Sequence, residues 1–94
     1  MKIGWTPKSS RAFKRLVKRN PQLRLLVEQT LQQMSADIYH PSLKTHKLMG
    51  DLDDVWSCSV DYSYRILFEF AIDPETDERA ILLLNIGSHD EVYY

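Results

Sequence analysis

The hydrophobic period of this chain changes once, from about 3.6 residues in its first half to about two in its second, and that switch restricts the fold more than any other feature. Over residues 10–19, Phe13, Leu16 and Val17 share one helical face while Arg11, Lys14, Arg15, Lys18 and Arg19 take the others. Thr6-Pro7 ahead of them supplies an N-cap and a first-turn proline. Asn20-Pro21 stops this helix and reads as the cap and first residue of a second, along which Leu23, Leu26, Val27, Thr30, Leu31 and Met34 form a core-facing stripe. Beyond residue 54 the pattern alternates. Residues 55–60 set Trp56, Cys58 and Val60 against Val55, Ser57 and Ser59, a half-buried strand. Tyr64–Ile72 sets Tyr64, Ile66, Phe68, Phe70 and Ile72 against Arg65, Leu67, Glu69 and Ala71, so Arg65 points away from the main apolar face. Residues 80–86 are almost continuously apolar, as in a strand covered on both faces. The polar turns at 61–63 and 73–78 are short enough to join antiparallel neighbours. With Lys2-Ile3-Gly4-Trp5 as a first short strand, the expected fold class is α+β: N-terminal strand, helix hairpin, then an antiparallel β-meander with the helices packed on one sheet face.

Ninety-four residues, 44% of them hydrophobic, suffice for one core and not two, so a single domain over 1–94 is expected. No run of about 18 apolar residues exists and Met1 to Trp5 lacks an apolar export region, so the expectation is a cytoplasmic protein without membrane contact. Cys58, the one cysteine, can form neither an internal disulfide nor a cysteine-based zinc site. The net charge of −1 conceals a steep asymmetry: residues 1–50 carry ten Lys and Arg against two acids, and residues 51–94 carry two against eleven. A basic face of this kind suits a polyanion or an acidic partner.

Chemistry-bearing residues gather late in the chain and in the connection at 37–50, which has no sustained periodicity, a short strand near its end, and the cluster Lys44, His46, Lys47. Ser88-His89-Asp90 cannot form a serine-hydrolase relay, because consecutive residues cannot adopt its hydrogen-bond geometry. His40, His46, His89 and Asp90 lack the spacing of a metal site, so neither a metal nor a cofactor is expected.

Several stretches together carry a resemblance. They are Thr6-Pro7 leading into a basic helix hairpin, His46-Lys47-Leu48-Met49-Gly50 before a Trp-bearing strand, Tyr64-Arg65-Ile66-Leu67-Phe68, and the ending Ile86-Gly87-Ser88-His89-Asp90-Glu91-Val92-Tyr93. Over nearly its whole length the chain resembles the RelE/ParE toxin superfamily, and within it the RelE and YafQ type of toxin–antitoxin ribonuclease. The resemblance implies the RelE-like microbial ribonuclease fold and a metal-independent endoribonuclease that enters the ribosomal A site and cuts mRNA. It also implies a cognate antitoxin that holds the enzyme inactive. The implied chemistry is attack of an RNA 2′-OH on the adjacent phosphate, which needs a proton acceptor, a proton donor and cationic stabilisation.

By motif position, Arg65 is then the phosphate-stabilising arginine and His89 the catalytic histidine, an imidazole suited to acid or base work. Tyr93, with Tyr94 as its alternative, stacks on a base or assists proton transfer. His46 is a second acid or base, Lys44 and Lys47 attract phosphate, and Arg11, Lys14, Arg15, Lys18 and Arg19 contact ribosomal RNA. The chain departs from YafQ-like members at Ser59 and Ser63, where those carry a histidine and an aspartate. Two other readings share the same fold: a ParE-like inhibitor of DNA gyrase without nuclease activity, and a catalytically degenerate member that binds only its antitoxin.

Overall fold

The computed structural model describes residues 1–50 and 54–93; Tyr94, the alternative to Tyr93, lies outside the described residues. The chain runs β1 (Lys2–Trp5), α1 (Pro7–Arg19), α2 (Leu23–Ala36), a 3₁₀ turn (Pro41–Leu43), β2 (His46–Lys47), β3 (Trp56–Ser59), β4 (Tyr64–Ile72), β5 (Arg79–Ser88) and α3 (His89–Tyr93).

Helix α1 begins where its cap demands. The Thr6 side chain accepts the Ser9 N–H at 3.1 Å, and the Ser9 hydroxyl accepts the Thr6 N–H at 3.0 Å, satisfying two donors that a helix start leaves open. The Thr6 hydroxyl also donates to the Leu83 carbonyl at 2.8 Å, so one side chain both starts α1 and fastens it to β5. Thr6→Ala is therefore expected to cost about 1–2 kcal/mol, with Thr6→Ser recovering most of it, read as the midpoint of denaturant unfolding.

Among the described residues five strands form one sheet in the order β1-β5-β4-β3-β2, and β2 to β5 are antiparallel neighbours. Helices α1 and α2 lie on one face. Leu16, Leu23, Val27 and Met34 pack there against Cys58, Ile66, Phe68, Ile81, Leu83 and Ile86 in one buried cluster. Burial pushes the Cys58 thiol up to about 11 against the opposing pull of the Thr45 hydroxyl, so this cysteine is a core residue and not a nucleophile. An irregularity in the β4–β5 ladder places Phe68 opposite Leu83 and Leu67 opposite Asn85, leaving Leu84 as an extra residue on β5. The shift lets Leu83 and Ile86, three residues apart, both enter the core, which accounts for the unbroken apolar run that carries no period of two.

The structure completes or corrects the sequence reading at four points. Strand β1, whose direction the sequence left open, joins the sheet parallel to β5, pairing Lys2–Trp5 with Ala80–Leu83, so the expected antiparallel meander stands within a mixed sheet. The boundary between the helices shifts: the Asn20 N–H donates to the Leu16 carbonyl at 2.9 Å, which keeps Asn20 as the end of α1, and α2 starts at Leu23 without a side-chain cap. Strand β3 is buried on both faces at its centre, since Ser57 and Cys58 are each fully covered. What covers Ser57 is the fourth correction. The chain does not stop at the end of a strand but turns into α3, which packs on the sheet face opposite α1 and α2.

Candidate active-site groove

The sequence from Gly87 to Glu91 explains α3. Ser88 accepts the Glu91 N–H on its hydroxyl at 3.2 Å, and the Glu91 carboxylate accepts the Ser88 N–H at 3.1 Å. That is a Ser-x-x-Glu capping box, a local signal present in the sequence and missed when these residues are read as a strand end. Gly87 lets α3 return closely over the strand: a Cβ there would stand 3.2 Å from the Glu91 Cβ, close enough that α3 would have to give by a few tenths of an ångström. The His89 N–H donates to the Ser63 carbonyl at 3.0 Å, tying α3 to the β3–β4 turn.

Starting a helix at His89 puts Tyr93 one turn later on the same face. Their rings meet edge to face with centroids 4.5 Å apart. The Tyr93 hydroxyl reaches the sheet and shares a hydrogen bond with the Ser57 hydroxyl. His46 is the register partner of Ser57, and Ser57 of Leu67, so His46 projects on the same sheet face as the Tyr93 contact. Arg65 is the register partner of Ser59 and of Gly87, one pleat further along that face.

The result is an open groove walled by His46, Leu48, Arg65, His89 and Tyr93. A second recess, walled by Tyr62, Ser63, Arg65, Ser88, His89 and Asp90, continues it past Arg65 and His89. All four residues assigned to catalysis from the sequence thus converge, although their positions span 46 to 93.

Local bonds orient these groups. Arg65 Nη1 donates to the Asp61 carbonyl at 2.6 Å and to the Tyr64 carbonyl at 2.9 Å, so one corner of the guanidinium is held by backbone. Nε and Nη2 make no hydrogen bond to a described residue, leaving a fork of donors at the groove. His46 Nδ1 lies 2.8 Å from the Lys44 carbonyl, which can only accept, so Nδ1 carries the proton and Nε2 of the neutral ring keeps its lone pair. His89 Nδ1 lies 3.5 Å from the Asp90 carboxylate. Among the described residues, no group of three or more His, Cys, Asp or Glu could hold a metal ion.

The basic residues divide. Lys44 contributes its carbonyl to His46, and its positive φ of 50° shapes the turn into β2. Lys47 sits opposite Trp56, hence on the other sheet face from His46, and does not wall the groove. Arg11, Lys14, Arg15, Lys18 and Arg19 are all exposed on α1. Arg15 and Arg19 face a separate cleft shared with Lys8, Asn85 and Glu91. Lys8 escapes a search for basic runs because it lies a turn before them. The Ser59 and Ser63 departures do not empty the groove, since His46 and His89 occupy it from β2 and α3.

Glu91 joins these regions, 3.8 Å from Arg19. The Ser88 N–H, then the Ser88 hydroxyl, then Arg19 and Arg15 hold its carboxyl below the usual carboxylate range. A depressed folded-state value contributes stability that is present above the ordinary value of about 4.3 and lost as pH falls through the folded one. Acidification below pH of about 4 is thus expected to loosen α3 before the core, seen as loss of the His89–Tyr93 ring contact by NMR, and Glu91→Gln should flatten that response.

No protein-family model and no curated protein sequence matches the chain. Solved structures do match. A YoeB/ParE toxin from Agrobacterium tumefaciens superposes with a TM-score of 0.75 at 16% identity, over 95% of this chain and 99% of that one. An E. coli DinJ-YafQ complex matches with a TM-score of 0.77 at 12% identity, over 99% and 98%. A conserved hypothetical protein from Helicobacter pylori matches with a TM-score of 0.62 at 25% identity, over 99% of each chain. The likenesses run over almost the whole chain, and by them this protein has the fold shared by the YoeB/ParE and YafQ toxins.

Proposed function

We propose that this chain is the toxin of a toxin–antitoxin pair and acts as a ribosome-dependent endoribonuclease in the cytoplasm, cutting mRNA in the A site. The observation that carries this reading is the convergence of Arg65, His46, His89 and Tyr93 on one groove. Two imidazoles and one guanidinium can supply the proton acceptor, the proton donor and the cationic stabilisation that 2′-OH attack on a phosphodiester needs. His46 Nε2 takes the 2′-OH proton, the 2′ oxygen bonds to phosphorus, and the bond to the 5′ oxygen breaks as His89 protonates that leaving group. Arg65 receives the charge that builds on the phosphate oxygens. The products are a 2′,3′-cyclic phosphate and a 5′-hydroxyl, and the scheme calls on no metal ion. A toxin of the same fold is held by a partner in the E. coli DinJ-YafQ complex, which supports a cognate antitoxin for this chain. Among the described residues no helix is long and apolar enough to cross a membrane.

Production of the chain without its partner, followed by primer extension on translated transcripts, tests the reading. New 5′ ends within codons are expected. Growth arrest with intact mRNA and inhibited DNA gyrase would overturn it in favour of the ParE-like activity.

The exposed bases of α1 extend the surface for RNA phosphates. Affinity for ribosomes is expected to fall steeply between 50 and 200 mM salt, and Lys14→Glu with Arg15→Glu should weaken binding and flatten the slope, measured by ribosome co-sedimentation.

A further inference from the structure

We infer that Ser57 is a positioning residue of the groove: its buried hydroxyl holds the Tyr93 phenol, and Tyr93 in turn sets the His89 imidazole, so that Tyr93 serves as an anchor and carries no proton. The inference rests on the ribonuclease reading for its consequence in catalysis, but its geometry stands without it.

Ser57 is one of the two inner residues of a four-residue strand and is fully buried, yet it lies on the sheet face away from the helix hairpin, next to a core residue, Cys58, that faces the hairpin. A small hydroxyl buried beneath α3 must find a partner, and the partner it has is the phenol of Tyr93. Tyr93 is drawn down to the sheet by its hydroxyl while its ring stands edge to face with His89 at 4.5 Å. Because the two rings are four residues apart on one helical turn, holding the far end of the tyrosine limits the swing of the histidine. A phenol oxygen engaged with a buried serine is turned from the open side of the groove, where a scissile phosphate would lie beside Arg65. The proton-carrying groups are then the two imidazoles alone. The second possible role for this tyrosine, proton transfer, falls away, and its ring remains available to pack against His89 or a base.

The arrangement also explains how five helical residues stay in place. Helices this short do not persist in water on their own. The capping box fixes one end of α3 and the Ser57–Tyr93 bond fixes the other.

Ser57→Ala, Tyr93→Phe and the double variant test the inference on the purified protein, each removing a single oxygen atom. The His89 imidazole and Tyr93 ring signals are read by NMR, and mRNA cleavage on purified ribosomes is followed as a function of pH. Each single variant is expected to shift the His89 ring signals and to lower kcat by about three- to tenfold at unchanged shape of the pH profile, with the double variant no worse than either single one. Conservative Ser57→Thr, which keeps the hydroxyl, should recover the His89 signals. Unchanged His89 and Tyr93 signals in Ser57→Ala overturn the inference. So does a loss of a hundredfold or more, or loss of one limb of the pH profile, in Tyr93→Phe but not in Ser57→Ala, because the phenol would then itself move a proton. If the unaltered protein cleaves no mRNA, the ribonuclease reading fails, while the NMR comparison still decides whether Ser57 positions the two rings.

Discussion

Arg65→Ala is expected to reduce mRNA cleavage by about two to three powers of ten, the usual loss when one oriented electrostatic partner of a developing oxyanion is removed. The fold should survive the change. Arg65 lies on the sheet face away from the α1–α2 core, and its two hydrogen bonds go to backbone carbonyls, of Asp61 in the neighbouring turn and of Tyr64 at the start of β4. Thermal unfolding close to that of the unaltered protein, together with lost cleavage in a purified translation system, is the expected pair of results. Arg65→Lys should restore little, because a lysine presents a point charge where the groove holds a planar fork. Full activity in Arg65→Ala would remove the phosphate-stabilising role from this residue. His89→Ala is a weaker discriminator taken alone, since His46 shares the groove and could move protons in its place.

The largest effect on stability is expected from Phe68→Ala. Phe68 has no exposed surface and sits at the middle of the central strand β4, opposite Trp56 on β3 and Leu83 on β5. Its ring also meets Phe70 edge to face at 5.4 Å, and Phe70 in turn meets Trp56 at 5.3 Å. Truncation removes the transfer free energy of the ring and leaves a cavity that the surrounding sheet cannot close, a loss of about 3–5 kcal/mol. A domain of this size has a total stability of only about 5–15 kcal/mol, so partial unfolding at growth temperature follows. Urea denaturation followed by far-UV circular dichroism measures it. A change below about 1 kcal/mol would mean that the core repacks around the site.

Both halves of the fold were legible because each rests on a local pattern. The α1 and α2 stripes recur at the helical period, and Leu16, Val27 and Met34 are buried where those stripes place them. Tyr64–Ile72 alternates, and Ile66 and Phe68 enter the core while Arg65 does not. Candidate residues could be named from the order of motifs along the chain, and the structure brings His46, Arg65, His89 and Tyr93 together. Lys47 shows the limit of that procedure. It neighbours His46 in sequence, yet strand alternation turns it to the opposite face.

What the sequence by itself determined is therefore whatever depends on neighbours within a turn or a strand: helix hairpin, strand faces, the Thr6 cap, the side of the sheet on which Arg65 emerges. Even the Ser88–Glu91 capping box belongs to this class, although it is easily overlooked behind an apolar strand. Only the tertiary structure decided the parallel seat of β1 beside β5, the return of α3 over Gly87, and the meeting of Ser57 with Tyr93 across 36 residues of chain. Such pairings are chosen by which sheet edge remains open and which small residue leaves room, and these are properties of the packed whole that no local period records.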